Sequence, residues 1–207
     1  MIRVMTQAAQ VRGPTHKVSA PASEGFFGYY PGAVAVITTR AGGQVNVMSA
    51  GWHTALSQTP PLYGVAVAPE RHSHGLLTAT RLFGVNFLPF EHAEAIAGAG
   101  LLSGATSDKF ARLGLTWQPG ELSGIPVLDV AYMTYECRVT QQHTTGDHTL
   151  FVGEVLWLTY RSEAYAGRVQ DSAAVPAVTY YGRSTYEELG AGQRKLLLPE
   201  LYRDTSS

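Results

Sequence analysis

The segment from Met133 to Tyr160 constrains the chain more than any other. Met133, Tyr135, Cys137 and Val139 alternate with Thr134, Glu136, Arg138 and Thr140, the two-residue period of a strand with one apolar and one wet face. His143-Thr-Thr-Gly-Asp-His148 supplies the turn. Thr149 to Tyr160 then returns with Leu150, Val152, Leu156 and Leu158 on one face and Phe151, Val155 and Trp157 on the other. A strand apolar on both faces needs cover on both faces, expected here from a second copy of the chain.

The remainder fits a sheet built around that hairpin. Ala33–Thr39 and Val45–Ala50 are short β-branched runs joined by Ala41-Gly-Gly-Gln44, and Leu62–Ala68 and Leu82–Leu88 read as further strands. Short helices are expected from Ser73 or His74 to Thr80, over Glu91–Ala97 and over Ser107–Leu113, the last closed by Gly114. Pro60-Pro61 breaks the chain, and Gly98–Thr106 reads as a Gly/Ala/Ser-rich loop. With 207 residues the chain suits one domain. We expect an arm over 1–24, an ordered domain over 25–190 beginning near Phe26, and a tail over 191–207 able to form helix.

Composition removes several functions. Fifteen Lys+Arg against sixteen Asp+Glu leave a net charge of -1, so no global field draws in nucleic acid or an anionic membrane. The single Cys137 forbids an internal disulfide and a thiolate-rich metal site, which suits a reducing, cytoplasmic setting. The first 25 residues lack the apolar stretch of a signal peptide, and nothing later is long enough to span a bilayer as a helix. Neither a dinucleotide fingerprint, a phosphate-loop lysine motif nor a Gly-x-Ser-x-Gly elbow is present. His72-Ser73-His74, His143 and His148 lack acidic or thiolate partners at ligand spacing, so no metal is expected.

Three segments carry candidate chemistry. Asn46-Val-Met48-Ser49-Ala50-Gly-Trp52 leaves a strand and enters small-residue chain as far as Ser57 and Pro61. Small side chains there let backbone N–H groups approach a flat ligand, although a plain connector with Trp52 as a core plug reads equally well. Arg71 and Ser73 precede a helix start, where free N–H groups and the helix dipole favour an anion; Ser73 as a simple N-cap is the competing reading. Lys109 stands in a first helical turn, where a cation is electrostatically misplaced unless an anion lies near it or Asp108 balances it.

Taken in order, these segments resemble the flavin reductase-like, FMN-binding split-barrel family, and within it the flavoredoxins. The likeness is carried by Tyr30-Pro-Gly, Asn46-x-Met-Ser-Ala-x-Trp52 with Ser57-x-x-Pro-Pro61, Arg71-His-Ser73 and Asp108-Lys-Phe. Gly146-Asp-His-Thr-Leu-Phe-Val-Gly153 and Tyr180-Tyr-Gly-Arg-x-Thr-Tyr complete it. It departs at Ser73-His74, where the family often has Ser-Thr. The resemblance implies a mainly β fold, an antiparallel Greek-key split β-barrel with short peripheral helices.

It also implies an oxidoreductase holding FMN non-covalently at a homodimer interface, with electrons or hydride passing between NAD(P)H or a protein donor and an acceptor. A redox protein partner or oxygenase fits that role. The implied cofactor contacts are Asn46, Met48, Ser49, Ala50, Trp52, Ser57, Arg71, Ser73, Lys109, His148 and an aromatic at Tyr181. No protein group need act as acid or nucleophile, since the flavin carries the chemistry and His148 tunes it. Two other readings remain at this point: a pyridoxamine-phosphate-oxidase-like FMN oxidase, and a split-barrel ligand-binding module without flavin.

Overall fold

The computed structural model describes Ser19, residues 21–24 and 30–189, and the backbone of Arg194–Leu196. Most of the expected arm, and the domain start near Phe26, lie outside the described residues. Of the tail expected to be able to form helix, Arg194–Leu196 is instead a strand, and the rest lies outside the description.

A seven-stranded antiparallel sheet dominates. Its strands are β2 (Ala35–Ala41), β3 (Gln44–Ala50), β4 (His53–Gln58), β5 (Pro61–Val67), β6 (Leu82–Phe87), β9 (Met133–Thr145) and β10 (His148–Tyr160). They run in the order β3-β2-β6-β9-β10-β5-β4. A second antiparallel sheet joins β1 (Gly32–Ala33), β13 (Val178–Gly182), β14 (Thr185–Glu188) and β15 (Arg194–Leu196). Two-stranded pairs are made by β7 (Trp117–Pro119) with β8 (Pro126–Leu128), and by β11 (Tyr165–Ala166) with β12 (Val169–Gln170). Among the described residues three short α-helices decorate this frame: α1 (His72–Thr80), α2 (Ala93–Leu101) and α3 (Lys109–Leu113).

The hairpin that anchors the sequence reading is present. β9 and β10 pair across the two-residue Gly146-Asp147 turn, with Gly146 at φ 66°, a left-handed conformation that glycine takes without steric cost. Two register shifts, at Val152/Gly153 and Val155/Trp157, interrupt the simple two-faced alternation of β10. Gly153 turns inward so closely that a Cβ there would stand 2.6 Å from the Phe83 ring.

Three local expectations are overturned. The small-residue chain after Trp52 is not loop as far as Pro61: His53–Gln58 forms β4, because its backbone finds a ladder on β5. The Gly98–Thr106 loop is shorter than expected, since α2 continues to Leu101 over small alanine and glycine residues that pack against β3. The wet face of β9 is not wet at its start, for Thr134 and Glu136 are buried. Glu136 is folded over by the 120–123 loop, whose backbone N–H groups at Glu121, Leu122 and Ser123 donate to its carboxylate at 2.8, 3.2 and 2.9 Å. The Ser123 hydroxyl adds a fourth bond at 2.7 Å.

Inside the curled sheet, Ala35, Ile37, Met48, Val65, Phe83, Cys137 and Phe151 form one apolar cluster. A second lies outside it, where Val36 and Val47 pack against Ile96, Phe110 and Leu128. The sheet curls until its edge strand β3 meets β5, and only Gly51 and Trp52 separate the end of β3 from the start of β4, the opposite edge. The Ala66 N–H donates to the Trp52 carbonyl at 2.9 Å, which carries the β4–β5 ladder up to this link.

Candidate functional site

The seam opens into a cleft with two lobes that share Met48, Arg71 and Gly100. One lobe, of about 240 Å³, is walled by Ser49, Ala50, Gly51 and Trp52 from the end of β3, by Ala66–Ala68 from β5, and by His148 and Tyr180. The other, of about 230 Å³, is walled by Asn46, His72, Ser73, Leu101–Gly104 and Lys109. Because β3 is an edge strand, one row of its backbone groups has no ladder partner and faces this space.

The first lobe suits a flat ring. The Trp52 and His148 rings lie 4.7 Å apart between centroids and 45° from parallel. His148 occupies the first position of β10, and its Nδ1 bonds the Asp147 carboxylate at 2.7 Å. That bond, first as a hydrogen bond and second as charge attraction, holds the Asp147 carboxyl below the ordinary carboxylate range. Tyr180 stands opposite, 5.0 Å from Tyr186 between ring centroids, and a Cβ on Gly51 would meet its ring at 3.6 Å.

The second lobe collects donors. Asn46 Nδ2 donates to Ser73 Oγ at 2.7 Å, so that hydroxyl is engaged by β3 and does not cap α1. Arg71 is the N-cap of α1 and makes no side-chain capping bond, and the first turn holds no acidic residue. No side chain of the first turn caps α1, although the His74 N–H turns back to the Arg71 carbonyl at 2.8 Å. Asp108 caps α3, accepting from the Ala111 N–H at 3.1 Å.

Lys109 departs from the reading in which Asp108 balances it. It is 5% exposed, and its Nζ donates to the carbonyls of Val47 and Ala99, each at 2.8 Å, tying β3 to α2. Burial first, and the neighbouring Arg71 charge second, bring its pKa down to about 8. A desolvated ammonium beside a guanidinium favours an anion there.

Nine of the eleven sequence candidates line the cleft: Asn46, Met48, Ser49, Ala50, Trp52, Arg71, Ser73, Lys109 and His148. Ser49 also bonds the Ile96 carbonyl, which ties α2 to the cleft wall. Ser57 does not join them; it lies on β4, across from Leu62. Nor does Tyr181, which lines a separate cavity with Pro31, Phe87 and Tyr132, since successive strand residues face opposite ways and Tyr180 takes the cleft side. His74, where the family pattern departs, bonds Thr149 Oγ1 at 2.9 Å and stays out of the cleft wall. Gly51, Ala66–Ala68, Gly100 and Gly104 were missed because their contribution is backbone and close approach, which no side-chain pattern signals. Among the described residues no cluster of His, Cys, Asp or Glu could hold a metal ion.

Residues 27–190 match the flavin reductase like domain family. The NADH-dependent FAD reductase of Streptomyces globisporus is 33% identical over 134 residues, 64% of this chain and 72% of that protein. The FMN-binding protein of Thermus thermophilus, solved with bound p-hydroxybenzaldehyde, superposes with a TM-score of 0.71 at 34% identity, covering 84% of this chain and 95% of that one. Flavoredoxin of Desulfovibrio vulgaris (Miyazaki F) superposes with a TM-score of 0.73 at 25% identity, covering 83% of this chain and 94% of that one. The match spans nearly all of the described residues, and the chain belongs to the flavin reductase like domain family.

Proposed function

We propose that this chain is a redox flavoprotein that holds FMN non-covalently in the seam cleft, with the ring beside Trp52, His148 and Tyr180 and the phosphate toward Lys109, Arg71 and Ser73. The observation that carries the reading is the division of labour within one cleft: an aromatic lobe at one end and a buried cation with an uncapped helix start at the other. The flavin, when bound, supplies the hydride or electron chemistry. The chain's own residues bind, orient and tune.

The direct test is to release the flavin by heat from the purified protein and identify it. FMN is expected; recovering FAD alone, or finding that saturating FMN is refused, overturns the reading. Ser73→Ala is expected to weaken FMN more than riboflavin by calorimetric titration. Equal losses would move Ser73 away from the phosphate.

His148 contributes a donor to the polar edge of the ring, where reduction leaves negative charge. One charge-assisted hydrogen bond amounts to about 1.5–3 kcal/mol, so His148→Ala should lower the two-electron midpoint potential by roughly 30–60 mV. A redox titration of the fully occupied variant that gives the parent potential makes His148 structural only.

The electron donor on this reading is NAD(P)H or a reduced protein, and the acceptor a partner oxygenase or redox protein. Assembly as a homodimer is part of the same reading. Leu56, Trp157, Leu158 and Tyr160 are exposed, and Gly64 lets the Leu56 and Leu150 side chains lie flat over β5. Light scattering should give twice the chain mass, with an interface larger than roughly 2,000 Å². A monomer that still holds flavin contradicts it.

A further inference from the structure

β2 and β3 pair as far as Ala35↔Ala50, and there the chain that precedes β2 leaves the main sheet: Gly32 and Ala33 pair instead with Tyr180 and Thr179 of β13. Val34 is thus the crossing point between the two sheets. His53, the first residue of β4, stands at this crossing, directly after Trp52. Its Nε2 lies 3.1 Å from the Ala33 carbonyl and its Nδ1 2.6 Å from the Tyr63 hydroxyl.

The two partners fix the state of the ring. A carbonyl can only accept, so Nε2 carries the hydrogen, and the neutral imidazole takes the Tyr63 O–H at Nδ1. Burial lowers the His53 pKa, against the opposing pull of the Ala33 carbonyl, and burial raises that of Tyr63, so both groups stay neutral at neutral pH. The imidazole also lies 5.9 Å from the Tyr63 ring and 5.8 Å from the Phe87 ring between centroids. It meets Ala33 as a strut already oriented by Tyr63 and Phe87.

What the strut holds is one wall of the cleft. The β1–β13 ribbon carries Tyr180 toward the cleft and Tyr181 away from it. Residues 51–53 meet this ribbon at two points, Gly51 against the Tyr180 ring and His53 at the Ala33 carbonyl. The start of β13 is fastened separately, by the bridge between Pro89 and Ala177 and by the Phe90 N–H, which donates to the Pro176 carbonyl at 2.9 Å. The contact at Ala33 therefore sets the distance between Tyr180 and Trp52, while other bonds dock the ribbon as a whole.

We propose that His53 is a positioning residue: through Ala33 and the β1–β13 ribbon it fixes the width of the aromatic lobe, and with it the grip of Tyr180 and Trp52 on a flat ring. The proposal rests on the flavin reading above and adds to it a residue outside the cleft wall.

His53→Leu keeps apolar bulk and removes the donor, whereas His53→Gln returns an amide N–H at the reach of Nε2. Each is made in the full chain, alone and together with Tyr180→Ala, stripped of flavin and titrated with FMN and with riboflavin. His53→Leu should weaken both flavins alike, by roughly threefold to tenfold, the range for one neutral hydrogen bond. His53→Gln should recover most of the loss. With Tyr180→Ala already present, His53→Leu should have no further effect, because the wall it positions is gone. An additive loss in that background, a loss confined to FMN, a Gln variant as weak as the Leu variant, or parent affinities in His53→Leu each overturn the proposal. Amide hydrogen exchange of the flavin-free protein gives a readout without ligand: in His53→Leu the 178–182 segment should exchange several-fold faster and the β9–β10 hairpin at the parent rate. Uniformly faster exchange would make His53 a general stability residue and overturn the positioning role. If the parent refuses both flavins while exchange responds only in β13, the positioning stands and the flavin reading falls.

Discussion

Replacing Glu136 by alanine should lower the stability of this protein by about 3–5 kcal/mol, the cost of stranding a few of the donors that it satisfies. The Glu136 carboxylate is 0% exposed and accepts from three consecutive backbone N–H groups and one hydroxyl of the 120–123 loop. Removing it strands donors that cannot pair with each other, and each stranded donor costs roughly 1–3 kcal/mol unless the loop peels away to reach water. Gly120 makes the arrangement tight, for a Cβ there would stand 2.5 Å from the carboxylate. Glu136→Gln should be milder, since one oxygen still accepts, but its amide hydrogens face the same N–H row. For a chain of this size the alanine variant should melt roughly 6–20 °C lower. Unfolding by heat and by denaturant measures it, and a loss under about 1 kcal/mol would mean that the loop re-pairs with solvent at little cost.

Lys109→Met should weaken FMN by roughly tenfold to 150-fold, the equivalent of one charge-assisted hydrogen bond of about 1.5–3 kcal/mol, and leave riboflavin nearly unchanged. The parent protein should also show a pH dependence that the variant lacks. A phosphate dianion favours the charged ammonium, and that ammonium loses its proton near pH 8. FMN affinity should therefore fall as pH rises through about 8, by no more than tenfold per unit for one proton. Stability of the flavin-free protein carries the opposite sign. Between about 8 and the ordinary lysine range the unfolded chain binds the proton and the folded chain does not, so this group makes stability rise with pH there. Parallel titrations of parent and variant with FMN at several pH values isolate the effect. A parent affinity flat across pH 7–9.5 would show that Lys109 is only the strut between Val47 and Ala99.

Much of this was legible in the sequence because it rests on local rules. The β9–β10 hairpin follows from two-residue periodicity and Gly146, the β2–β3 hairpin from Gly42-Gly43, and the close of α3 from Gly114 at φ 64°. Motif order brought nine of eleven candidate side chains to one cleft. What stayed hidden depends on contacts between distant segments. β4 exists because β5 pairs with it. Glu136 looked solvent-facing because nothing near it in sequence announces a loop that folds over it. The burial of Lys109 stayed hidden because the carbonyls it meets come from β3 and α2. Tyr180 could not be told from Tyr181 until the pairing Gly32↔Tyr180 fixed which face looks toward Gly51.

The two-residue link between β3 and β4 carries a last consequence. Gly51 and Trp52 let the chain step from one edge of the seven-stranded sheet directly to the other, so strands at opposite ends of the ladder are neighbours along the backbone. Closing the curl therefore costs little loop entropy, and the ends are brought together before any ligand arrives. A molecule seated in the seam touches both edges at once and acts as a clasp. By mass action its release and the parting of those edges are coupled, so the slowest-exchanging amides of β3 and β5 should report on occupancy as faithfully as colour does.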